Sequence, residues 1–240
     1  MFGLEIISAG LLHLAALDIK PSAEQIECTP KKPLFIDVVS AKNDVRYDFS
    51  KKTAELNRIG KGAYSPYSEG HLNTEFQGLT VGKQHLSHDV EFYFETNKDT
   101  GLACLQLHKV KVTINYTPTI YISTKFKKGT PIFQKILEHE KEHVKITHRI
   151  FDKYENILEE QLRNDLQSDF SAGPFPIHKI ERKQQEFENK IKRLTAKVEH
   201  TMNKESRKLN NLFDDADLND KIEYNQGIAR KLEEIFKLND

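Results

Sequence analysis

Apolar and polar residues alternate from Val90 to Glu95: Val90, Phe92 and Phe94 fall on one side, Glu91, Tyr93 and Glu95 on the other. A period of two marks a strand with one buried face. The turn residues Asn97 to Gly101 follow, and Leu105 to Tyr116 then reads as a long strand whose apolar phase slips between Leu107 and Val110. Such a slip predicts a β-bulge near His108. Thr119 to Ser123 reads as a further strand. Upstream, Phe35 to Ser40 and Val45 to Asp48 are short runs rich in β-branched residues, also read as strands. Ser50 is placed to cap a short helix, Lys51 to Ile59, that Gly60 closes. Residues 60–88, with five glycines and Pro66, read as one long irregular segment. These elements predict a small, mostly antiparallel sheet.

After Gly129 the period becomes helical. Thr130 before Pro131 is a start signal, a capping hydroxyl ahead of a proline at the first helical position. No breaker occurs before Ser171 to Pro176 (SAGPFP), which predicts a helix of about forty residues and then a turn. A second helix, His178 to Leu212, carries apolar residues at Phe187, Ile191, Leu194, Val198, Met202, Leu209 and Leu212, a seam for packing on a neighbouring helix. The acidic run Asp214 to Asp217 reads as a turn into a third helix, Asp220 to Leu238. The chain divides on this reading into a segment 1–30, a sheet-and-helix domain 31–170 and a helical extension 171–240.

Composition narrows the function. The chain has 240 residues, 38% of them apolar and 30% charged, enough to form a core without disulfide or metal staples. Lysine plus arginine and aspartate plus glutamate each number 36, so there is no net charge to hold nucleic acid, and nucleic-acid partners are disfavoured. No apolar run approaches the ~20 residues of a transmembrane span. Cys28 and Cys104 lack the CxxC spacing of zinc or redox sites; they form one bridge if the protein is exported, or stand as two buried thiols. Ile6 to Leu17 has the length of a signal-peptide core, but Met1 to Glu5 before it carries no basic residue. The linker-like stretch Asp18 to Pro33 favours a signal over a buried helix, hence a periplasmic or secreted protein, with a cytoplasmic one as the alternative.

His139-Glu140-Lys141-Glu142-His143 fits H-E-x-x-H well inside the long helix. Two histidines four apart share one helix face, so both imidazoles reach one zinc ion, and the adjacent glutamate can take a proton from the water that the metal polarises. The competing reading is a charged, solvated helix face. Three stretches, Tyr47 to Ile59 (YDFSKKTAELNRI), Cys104 to Ile122 (CLQLHKVKVTINYTPTIYI) and Leu137 to Ile146 (LEHEKEHVKI), occur in the order found in the bacterial secreted zinc-dependent proteases catalogued as domain of unknown function 922, which the chain resembles. The resemblance implies a zincin-like fold, with a β segment ahead of the H-E-x-x-H helix, and a zinc-dependent protease. The chain departs from that family in having no tryptophan.

A third metal ligand follows from geometry. His148, five residues after His143, is turned roughly 140° away around the helix and is expected at the surface. If the second helix doubles back through the 171–176 turn, residue 205 lies opposite His143. Glu205 also falls in the apolar seam, where a carboxylate is costly unless paired or bound to a metal. It is therefore the expected third ligand, against a seam-edge glutamate pairing with Arg207 or Lys208; His200 and Glu223 come next. Arg207, Tyr121 and Tyr224 are candidates to stabilise an oxyanion. The whole reads as an α+β protein, a small sheet on an H-E-x-x-H helix followed by a helical hairpin and a third helix. The expected function is zinc-dependent hydrolysis of a peptide bond in a peptide or protein substrate. The alternatives are a zinc amidase acting on cell-wall peptide and an interaction protein that uses the helical hairpin.

Overall fold

The computed structural model describes residues 27–62 and 76–218. In chain order the elements are β1 (Phe35–Lys42), β2 (Arg46–Asp48), α1 (Thr53–Gly62), β3 (Gly78–Asn97), β4 (Leu102–Ile122), α2 (Pro131–Leu166), β5 (Ser171–Pro176) and α3 (Ile180–Leu218), with a short 3-10 turn leading into α3. The expected third helix, the apolar run Ile6 to Leu17, Glu223 and Tyr224 lie outside the described residues.

β4 is the axis of a five-stranded sheet. β3 pairs antiparallel with it over its whole length, from Asn97 opposite Leu102 to Gly78 opposite Ile122. The other edge of β4 is shared in succession by β5, antiparallel, then β1 and β2, both parallel. The sheet is therefore mixed, with two antiparallel and two parallel ladders, and its two long strands of 20 and 21 residues make it larger than expected. The α+β class stands. The two strands read as Leu105 to Tyr116 and Thr119 to Ser123 are one, because Pro118 interrupts nothing. The β1 ladder ends at Tyr116 and the β2 ladder starts at Thr119, so the missing N–H falls in the gap between them.

The bulge expected near His108 is present: Glu91 pairs with Lys109 and Phe92 with Leu107, leaving His108 as the extra residue. It has a structural purpose. Below it Ala103, Leu105 and Leu107 are buried, above it Val110, Val112, Ile114 and Tyr116, so the extra residue keeps both runs on the face that the helices cover. The opposite face carries cross-strand ion pairs, Lys109 with Glu91 and Lys111 with Asp37.

α2 starts where the sequence places it, with the Thr130 side chain accepting from the backbone N–H of Phe133 and Pro131 at the first helical position. α1 begins at Thr53, later than expected, because the Ser50 hydroxyl donates to Asp48 and does not cap the helix. Two other expectations are corrected. Ser171 to Pro176 is no turn but strand β5, joined to β4, and residues 78–88 are the first half of β3. Phe175, Phe187 and Ile191, beyond the boundary expected at 171, belong to the same buried cluster as the sheet and α2. Cys28 and Cys104 form a disulfide, and the loop it closes gives a stabilisation on the order of 4 kcal/mol.

Candidate metal centre

The buried face of α2 runs Phe133, Ile136, Glu140, His143, Thr147, Ile150 and Tyr154, in steps of three and four. Glu140 is only 4% exposed and His143 1% exposed, so the middle of the core-facing stripe is polar. Polar groups at such depth need partners, and they have them.

His139 and His143 turn toward α3. Their Nε2 atoms lie 3.1 Å apart, and the Asp214 Oδ1 lies 3.1 Å from the first and 2.9 Å from the second. Among the described residues these three form the group able to hold a metal ion. Three ligands at the usual ~2.0–2.2 Å from a tetrahedral zinc stand about 3.4 Å apart, so a widening of ~0.3–0.5 Å admits the ion. The hydrogen bonding around the centre favours a cation. Asn210 Nδ2 donates to the Ser206 carbonyl at 2.8 Å, which turns its Oδ1 to accept from His143 Nδ1 at 2.8 Å. With its proton on Nδ1, His143 presents a lone pair at Nε2, facing a carboxylate oxygen. Lone pairs at 3 Å repel unless a proton or metal ion sits between them. The second Asp214 oxygen is buried and has no hydrogen-bond partner among the described residues. Burial pushes the Asp214 carboxyl up, but the two imidazoles beside it, His139 and His143, outweigh burial and hold the carboxyl below its ordinary range. Phe213 stacks on the His139 ring at 4.9 Å and meets the His143 ring edge-on at 5.1 Å, closing one side of the centre.

Glu140 faces β3. The Thr80 hydroxyl lies 2.7 Å from its Oε2 and 3.0 Å from its backbone carbonyl, so one proton serves the two in turn. Burial raises the Glu140 carboxyl above its ordinary range, against the pull of His143, His139 and Thr80. The strand residues on this face are Gly78, Thr80 and Gly82, and the glycines are required by close approach. A Cβ at Gly78 would stand 2.5 Å from Glu140 Oε1, and one at Gly82 would stand 1.8 Å from the Tyr116 ring.

The structure does not bring Glu205 to the histidines. Its carboxylate accepts from Lys153 Nζ at 2.9 Å and from the Tyr154 hydroxyl at 2.7 Å, about three turns further along α2. The cause is register. Asn210, five residues beyond Glu205, faces His143, because β5 carries the chain along the sheet before α3 turns back. Asp214 was hidden by its setting, since the acidic run that read as a turn is a continuation of α3. A signal for it did exist. Thr195, Glu199, Asn203, Ser206, Asn210 and Asp214 are spaced by three and four, a polar stripe beside the apolar seam. His200 is exposed and outside the centre. His148 is not at the surface as expected but half-buried, its ring edge-on to Tyr116. His88 meets Thr195 of α3 at 2.8 Å, and His108 meets the Pro33 carbonyl at 3.0 Å. Comparisons with protein-family models, with curated proteins and with solved structures find no match for the chain.

Proposed function

We propose that the protein is a zinc-dependent hydrolase of peptide bonds, with His139, His143 and Asp214 as the metal ligands and Glu140 as the general base. One observation carries the reading: a carboxylate from a second helix meets the two histidines of the H-E-x-x-H motif within 3.1 Å. Two imidazoles and one carboxylate are a zinc set that leaves a fourth position open, as catalysis requires. Zinc, when bound, would supply a Lewis acid for water and for the substrate carbonyl.

The chain's own residues supply the rest. Asn210 holds the His143 ring and its tautomer, and Phe213 holds the His139 ring. Glu140 takes the proton from the attacking water and delivers it to the leaving amine, while Thr80 fixes one of its oxygens. A mixed sheet laid against the motif helix, with the last ligand on a later helix, supports the zincin-like reading of the fold. The disulfide supports an oxidising compartment, periplasmic or extracellular.

Metal analysis tests the proposal. The purified chain should carry one equivalent of zinc, and His139→Ala, His143→Ala and Asp214→Ala should each lose it, since two protein ligands hold zinc weakly. Glu140→Gln should keep the metal and lose hydrolysis by ~10²–10⁴-fold. Full zinc in the Asp214→Ala chain refutes the ligand set, and full activity in the Glu140→Gln chain refutes the mechanism.

A further inference from the structure

We propose that the cavity beside the metal centre selects the substrate, and that Arg207 in its wall binds a substrate carboxylate. The inference rests on the hydrolase reading above. The cavity, about 610 Å³, lies between β3, α2 and α3 and has His143 and Asn210 in its wall, so it adjoins the place where bond cleavage would occur. Its volume is in the range of small-molecule pockets.

Ala196 apart, the α3 wall is polar, and its charged or titratable side chains are Glu199, His200 and Arg207. Arg207 is partly buried there and makes no hydrogen bond or ion pair among the described residues. Partly buried lysines elsewhere are paired, Lys153 with Glu205 and Lys190 with Asp169. Glu205, two residues before Arg207, is engaged with Lys153 and Tyr154. Glu199, in the same wall, stands about 12 Å away along the helix axis and forms no ion pair with Arg207. A partly desolvated guanidinium thus lines the cavity without an acceptor, which costs free energy that an incoming anion would recover. Its flat fork suits a carboxylate, with two parallel hydrogen bonds. Along α3 the cation stands nearer Asn210 and the acid farther from it, which orients the carboxylate toward the metal end. An acidic side chain and a free C-terminus offer the same chemistry to this site.

Binding to the zinc-loaded Glu140→Gln chain, which would hold a peptide without cutting it, tests the idea by calorimetry. The probes are hexapeptides carrying Glu, Gln or Lys at each position in turn, each made as the free acid and as the amide. A Glu peptide or a free acid should bind about 10- to 100-fold more tightly than its Gln or amide counterpart. Adding Arg207→Gln should erase that difference while zinc stays at one equivalent. A difference confined to Glu peptides assigns a side chain, and one confined to free acids assigns the terminus. Equal binding of all probes, a preference for Lys, or no binding at all overturns the inference. Should Arg207→Gln fail to fold, Arg207→Lys keeps the charge without the fork; a reduced preference supports the assignment and an unchanged one overturns it. Hydrolysis by the unaltered chain is measured separately. Carboxylate preference without hydrolysis defeats only the hydrolase reading, and hydrolysis without carboxylate preference defeats only the pocket.

Discussion

Glu140 and His143 occupy helix positions where the surrounding pattern puts Ile136, Ile150 and Tyr154. A charged or titratable group in such a place is retained only if something compensates its lost hydration. The compensation here is Thr80 for one and Asn210 with Asp214 for the other. That logic was legible for the motif residues, whose spacing alone specifies a shared face. It was half legible for Glu205. A carboxylate in the seam did need a partner, but Lys153 and Tyr154 supply it, and the Tyr154 hydroxyl is pushed up by burial and then by Glu205 itself. Glu205→Ala should therefore leave zinc binding unchanged and cost about 1–3 kcal/mol of stability, by stranding a lysine and a tyrosine. Urea titration beside metal analysis checks both halves, and a lost zinc equivalent would restore Glu205 to the centre.

At the level of elements, β3 shows why glycine was misread. Gly78 and Gly82 were signs of irregular chain in the sequence, yet each is a strand position facing α2 or Tyr116 at a distance no side chain tolerates. β4 and α2 were legible because their signals are local: alternation with one slip, and a cap before a proline. β5 was not, since its pairing with β4 is a long-range contact that a Gly-Pro segment conceals. The stripe Gly78, Thr80, Gly82 also makes a functional demand. In Gly78→Ala the new methyl would displace the Glu140 carboxylate, and a shift of about 1 Å in a catalytic group costs roughly 10²-fold in rate. The expected result is a chain with full zinc and slow hydrolysis, measured on the same sample. A rate equal to that of the unaltered chain would mean that Glu140 does not act from its position against β3.

Across the whole molecule, the two helices that carry the proposed ligands are joined at one end through β5, which is bonded into the sheet close to the disulfide-linked Cys104. The candidate metal centre lies toward the other end of the pair, where His139 and Asp214 meet. A bound ion would act there as a clasp. Zinc should slow amide hydrogen exchange in α3 from about Asn203 onward and leave Ile180 to Ile191 nearly unaffected, because only the far end gains a constraint. Uniform protection along α3 would show that the helix opens as one unit and would refute the clasp. The mixed sheet and the helix register were beyond reach of the sequence for one reason: both depend on which distant segments dock together.

The separation of the proposed ligands along the chain has a consequence in time. Asp214 follows His139 by 75 residues, and it reaches the histidines only after β5 has docked and α3 has folded back over α2. A growing chain that already displays the complete H-E-x-x-H helix still lacks its third ligand. On the proposed chemistry, the peptide-cutting centre closes only when most of the described fold is in place, so the order of synthesis itself keeps the unfinished protein inert.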